Sequence, residues 1–211
     1  MDQFYASILQ WQELLSQNNN FTALSSNYLY IIYSMIDFYT SYYSNIKNIP
    51  KSCLCLGISY ICPDWLKDNQ DYPNFIYVKN KCLAPSKELL YDKKTNKISE
   101  DEYKSRYIHE LFNTIINKMG YKDVPSFFIE MSDSIEQECE IRYEGIVFLC
   151  YEKPESFCHR HLLRRLLNFV YRIPCKELGV NERNVWGFKE SDLPPKIKTP
   201  LGKPGTVNSL F

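Results

Sequence analysis

The chain has 211 residues, 45% of them hydrophobic, and its 25 Lys and Arg balance 25 Asp and Glu. That apolar share allows a real core and excludes wholesale disorder. The zero net charge excludes a global attraction to nucleic acid or to an anionic membrane, so such binding would need a local patch.

The N-terminal stretch MDQFYASILQWQELL carries Asp2 where a secretory signal would be basic. Residues 3–17 place Phe4, Ile8, Trp11 and Leu15 at helical spacing, and Asp2 can cap the first turn. A second helix is expected from Ser25 or Ser26 to about Lys47, with Tyr28, Ile31, Ile32, Met35, Phe38, Tyr39 and Tyr42 along one stripe. Together they would form a hairpin over 1–48. The apolar stretch from Tyr28 to Tyr43 is too short for a membrane span and is interrupted by Asp37. A cytoplasmic protein without a membrane partner is therefore expected, and its 8 cysteines should be mostly reduced.

After Pro50 the texture changes. CLCLGISYIC (53–62) and NFIYVK (74–79) read as strands, and Lys87 to Asp92 as a third. Ser99 and Glu102 form a capping box that starts a helix, which Gly120 ends. SFFIEM (126–131), CEIRYEG (139–145) and IVFLCYE (146–152) read as strands, followed by a helix over about 156–173 that Pro174 stops. The order predicts an α+β fold, with a mostly antiparallel sheet covered by helices over 49–180. The domain would end near 180 and leave an extended tail, 181–211.

Two stretches approach a zinc-peptidase motif. His109-Glu110-Leu111-Phe112-Asn113 ends on asparagine where the second histidine belongs, and His161 to Arg165 lacks the glutamate and ends on arginine. Neither supplies both ligands and a base, so at most a degenerate relative of such enzymes is implied. Cys53, Cys55, Cys62 and Cys82 form a weak structural-zinc set, because the last two have nineteen residues between them rather than being paired closely. Otherwise they are core thiols. Cys139, Cys150, Cys158, His159, His161 and Cys175 form a looser set, and Cys158 beside His159 hints at a nucleophile. Adjacent residues on a helix point apart, which counts against that hint. The glycines form no phosphate-binding loop, and no small-molecule substrate or cofactor is evident, zinc aside.

Charge collects in two places. Acids cluster from Glu130 to Glu144, while Arg160, Arg164, Arg165 and Arg172 lie on the last helix. Arginine forks suit phosphate, so that helix is a possible nucleic-acid face, or else a solvated face paired with the acidic segment. The tail is rich in proline yet keeps Trp186 and Phe188, with Lys189, Lys196, Lys198 and Lys203. Proline rules out helix or central strand there, so the tail reads as a strap that adheres to another surface.

The wealth of Asn, Lys, Ile and Tyr resembles the output of an AT-rich genome. With the arginine helix and basic tail, the chain is similar in architecture and composition to ribosome dormancy (hibernation) factors of compact eukaryotic parasites. That resemblance implies a non-catalytic factor that docks on the ribosome, touching rRNA and ribosomal proteins, and holds it inactive. It transfers no particular functional residue. The alternatives are a degenerate metalloprotein and a protein–protein accessory subunit whose tail adds to a partner's sheet edge or groove.

Overall fold

The computed structural model describes residues 36–67, 70–78, 81–139, 142–171 and 173–187. The expected helix over 3–17 and the first part of its partner lie outside these residues. Strands β1 (Asp37–Tyr42), β2 (Cys53–Gly57), β3 (Phe75–Tyr77), β4 (Gly145–Cys150) and β5 (Cys175–Glu177) form one sheet, in the order β3-β2-β4-β1-β5. Every pairing is parallel, from Asp37 against Gly145 through Tyr42 against Cys150, and from Cys53 against Gly145 through Gly57 against Leu149.

The fold is therefore α/β, and the expected mostly antiparallel sheet is wrong. The physical reason lies in the strands themselves. CLCLG and GIVFLC are buried at every position, as strands covered on both faces must be, and show none of the in–out alternation of a half-solvated antiparallel sheet. Further expectations fail with it, among them the strand CEIRYEG (139–145), since Cys139 ends a helix and β4 begins only at Gly145. Asp37–Tyr42, expected inside a helix, is a central strand whose aromatic and hydroxyl residues suit a pleated, buried surface. Lys87–Lys94 is helix α1, started by Ser86, whose Oγ accepts from the Leu89 N–H at 3.1 Å. Val124–Cys139 is helix α3. Its start signal was present in the sequence: Asp123 Oδ1 accepts from the Ser126 N–H at 2.8 Å, and Pro125 stands in the first turn.

Helix α2 (Glu100–Phe112) begins at Ser99, whose Oγ accepts from the Glu102 N–H. It continues as a π-helical turn over Asn113–Lys118, and Gly120 closes it at φ +78, the left-handed conformation that favours glycine. Helix α4 (His159–Arg165) likewise runs on as a π turn over Leu166–Val170.

The sheet separates two apolar clusters. On one face Leu54, Leu56, Ile146 and Phe148 meet the helices. There Phe128 of α3 lies 4.7 Å from Phe148 and 6.1 Å from Phe38, ring to ring. On the other face Cys53, Cys55, Val147 and Leu149 pack under Tyr43 and Ile46 of a 3-10 turn. The alternation along β4 sends Cys150 to the helix-covered face. No helix among the described residues is long and apolar enough to cross a membrane.

Candidate functional site

In a parallel sheet, ligands collect where neighbouring strands send their connections in opposite directions. Here β2 leads outward to β3, while β4 leads across β1 to β5. The crevice between the C-terminal ends of β2 and β4 is that switch point. A cavity of about 390 Å³ opens there. Ser59, Tyr60 and Ile61 line it after β2, and Cys150, Tyr151 and Glu152 after β4, with Cys158 and His159 adding to its wall.

These side chains converge for local reasons. Cys150 is the last residue of β4, and Cys158 is extended (φ −151, ψ 145) before the helix begins. Because Cys158 is not helical, its sulfur and the His159 ring do not diverge. His159 Nδ1 lies 3.9 Å from each of the two sulfurs, and its Nε2 lies 3.7 Å from Cys150 Sγ. Nε2 also stands 3.1 Å from the Ile58 carbonyl oxygen, which can only accept. That bond places a proton on Nε2 and leaves Nδ1, 3.9 Å from both sulfurs, as the nitrogen that can take the Cys158 proton and then donate back to the thiolate. Glu152 Oε2 is 3.7 Å from Cys150 Sγ, and the Tyr107 ring meets His159 edge-on at 5.4 Å.

The electrostatics divide the two thiols. Burial raises Cys150 well above an ordinary thiol, and its bond to Cys158 adds to that. For Cys158 burial is again the largest influence and opposes ionisation. It is outweighed by the hydrogen bond from Cys150, the charge and hydrogen bond of His159, and the charge of Arg160, which hold Cys158 well below the usual thiol range. In effect the pair gives up its first proton readily and keeps the second. Burial, aided by the negative charge of Cys158, also raises the Glu152 carboxyl.

A second layer fixes this arrangement. Arg160, fully buried, donates from Nη2 and Nε to Glu177 Oε1 at 2.8 and 3.2 Å. Thr40 of β1 donates to Glu177 Oε2 at 2.5 Å, and His161 Nε2 is 3.6 Å from the same oxygen. Burial pushes the Glu177 carboxyl up, but the neighbouring His161 and the charge and hydrogen bonds of Arg160 prevail and bring it to about 2. The start of α4 is thereby pinned to β1 and β5.

The structure sorts the residues singled out in the sequence. Arg160, Arg164 and Arg165 are 0%, 3% and 4% exposed, so the basic stripe points inward instead of toward solvent. Arg172 lies outside the described residues, as do Phe188, Lys189, Lys196, Lys198 and Lys203. Trp186 packs on the domain itself, 4.7 Å edge-on from Phe157, with its N–H on the Pro154 carbonyl. Cys53, Cys55 and Cys62 sit in one apolar cluster and Cys82 in the other, across the sheet. Glu110 of the near-motif serves α1, accepting from the Ser86 N–H and Oγ at 2.9 and 2.7 Å. Glu152 was missed altogether. Its signal was the pattern C-x-E at the end of a buried strand, leading to C-H-R at a helix start.

Fold and site together define a parallel α/β protein with a buried cysteine–histidine cluster at its switch point. Residues 40–169 match the family described as the active DUF488-N3 subclade (DUF488-N3a). The match covers more than half of the chain, which belongs to this family. The matched span holds Cys150, Glu152, Cys158, His159 and Arg160, and stops short of the tail. No curated protein and no solved structure matches the chain.

Proposed function

We propose that the protein is an enzyme in which the Cys158 thiolate is the nucleophile of a group-transfer or hydrolytic reaction. This departs from the non-catalytic expectation. The observation that carries it is the convergence of two thiols, an imidazole and a carboxyl on one cavity at the sheet's switch point. A lowered thiol beside an imidazole is the arrangement that activates cysteine. The description of the subclade as active supports the same reading.

In the first step the sulfur of Cys158 bonds to an electrophilic carbon of the substrate, and the bond to the leaving group breaks with its electron pair. Glu152, whose carboxyl holds its proton above the usual range, supplies that proton to the leaving group. Water or an acceptor then takes the group from sulfur and gives its proton to the Glu152 carboxylate, so that both the thiolate and the protonated Glu152 return. Arg160 is a positioning residue, held by Glu177.

The test is iodoacetamide alkylation with peptide mapping across pH. Cys158 should react first among the cysteines and already at pH 6 to 7, and His159→Asn should slow it at least about tenfold there by moving the profile upward. Alkylation of Cys158 only above pH 8, in step with the other thiols, would overturn the reading.

A second reading has one favouring observation. Donor atoms of Cys150, Cys158 and His159 lie within 4.8 Å of one another, and the other His159 nitrogen is held by a carbonyl, as in zinc sites. Zinc bound there would be seen as about one equivalent per chain, with alkylation of Cys158 accelerated by chelator.

A further inference from the structure

Beside the cavity at Cys158 lies a second one of about 780 Å³, and the two share Tyr60 and Ile61 as a common ledge. Tyr77 holds this ledge in place, donating its hydroxyl to the carbonyls of Tyr60 at 2.7 Å and Ser59 at 3.1 Å. Three of the second cavity's rings, Tyr72, Phe75 and Tyr77, are only half-buried and line the space. Ile61, 60% exposed, extends the apolar floor between the two spaces.

The charged lining is one-sided. Lys93 and Lys94 line the first cavity and Lys81 the second, where Lys67 is already paired with Asp64 at 2.5 Å, against Glu152 as the carboxylate lining either. Lys81 holds its ammonium 3.8 Å over the Tyr60 ring, and Lys93 lies 5.6 Å over Phe157. Lys81 also adopts φ +54, a conformation that costs a non-glycine residue energy. Cationic side chains stacked on partly open rings form a surface for a flat group bearing negative charge. Among the described residues no such ammonium sits over the half-buried rings Tyr72, Phe75 and Tyr77, which are left for a planar π system, while each ammonium neutralises an anionic oxygen beside it.

We propose that this double cavity binds a nucleoside phosphate, with the base against the aromatic cleft and the phosphate against the lysines. The sugar then lies at the Tyr60–Ile61 ledge, on the side that faces Cys158. The proposal deepens the thiolate reading and rests on it for the reaction, but the binding itself needs no thiol. Both volumes fall in the range of small-molecule sites, roughly 300–1,000 Å³.

Binding is therefore measured on full-length Cys158→Ser protein by titration calorimetry. The probes are a purine and a pyrimidine nucleoside, their 5′-monophosphates, inorganic phosphate, and a single-stranded hexanucleotide. A monophosphate should bind at least tenfold tighter than its nucleoside and tighter than inorganic phosphate. Lys93→Glu with Lys94→Glu, or Lys81→Glu, should each weaken it at least tenfold, and Tyr60→Ala should weaken nucleoside and nucleotide alike. These side chains lie at the surface, and thermal melting checks that each variant folds. A hexanucleotide tighter than the monophosphate identifies a polynucleotide as the source, and equal affinity identifies a free nucleotide. Equal binding of nucleoside and monophosphate, or no effect of the lysine reversals, overturns the proposal. Loss of iodoacetamide selectivity at Cys158 with nucleotide binding intact would instead sink only the thiolate reading.

Discussion

Glu177→Gln tests the electrostatic frame of the site most directly. In the native protein both Glu177 and Arg160 are 0% exposed at the side chain, and the pair is completed by Thr40 and His161. The substitution leaves the Arg160 charge buried without its counter-ion, which typically costs about 3–5 kcal/mol. An independent figure comes from the carboxyl itself, lowered from 4.5 to about 2. That displacement corresponds to about 3 kcal/mol of stability. Because the folded value lies below the unfolded one, this stability is present above about pH 4.5 and is lost as pH falls toward 2. For a domain of this size, about 3 kcal/mol lowers the melting temperature by roughly 6–12 °C. The assay is thermal and urea unfolding of both proteins at pH 7 and at pH 3. The variant should melt 6–12 °C lower at pH 7, and the gap should narrow at pH 3, where the carboxyl of the unfolded chain is already protonated and that of the native protein is still ionised. Arg160→Met with Glu177→Leu should recover most of the loss by removing both charges. A Glu177→Gln protein that melts within 2 °C of the parent at pH 7 would refute the account.

Gly145→Ala should destabilise the sheet by about 1–3 kcal/mol, read by urea unfolding, because a Cβ there would stand 2.9 Å from the Asp37 carbonyl oxygen in the strand alongside. Ribosome docking, expected in the sequence from the basic tail and the arginine helix, retains only the tail as support because Arg160, Arg164 and Arg165 are buried. It predicts cosedimentation with ribosomes at low salt and release as salt rises, through loss of phosphate contacts. Removing residues 188–211 should abolish that cosedimentation, and its persistence would end the docking proposal.

Much of the architecture was legible in the chain, because it depends on neighbours in sequence. Ser99 with Glu102, and Gly120 after the last apolar step, marked α2, and the continuous apolar runs CLCLG and GIVFLC marked β2 and β4. Those runs also encoded burial on both faces, the sign of a parallel sheet, and the weight given to antiparallel pairing ignored it. The apolar cluster SFFIEM looked like a strand because the count of β-formers outweighed the cap at Asp123.

The site was legible only in fragments. Cys158 and His159 are adjacent in sequence, and helical geometry would have driven them apart. The extended backbone at Cys158 reverses that, and it is set by how the chain leaves β4. Four arginines at helical spacing fit a phosphate-binding face equally well by composition. Which way a face points depends on what packs against it, and Glu177, distant in sequence, draws Arg160 inward. Local signals thus marked α2, α4, β2, β3 and β4, while β1, β5, α1 and α3 went unread. Strand order, and with it the meeting of Cys150, Cys158, His159 and Ile58 at one crevice, was decided by long-range pairing, because a side chain's partners are fixed only when its neighbouring strands are.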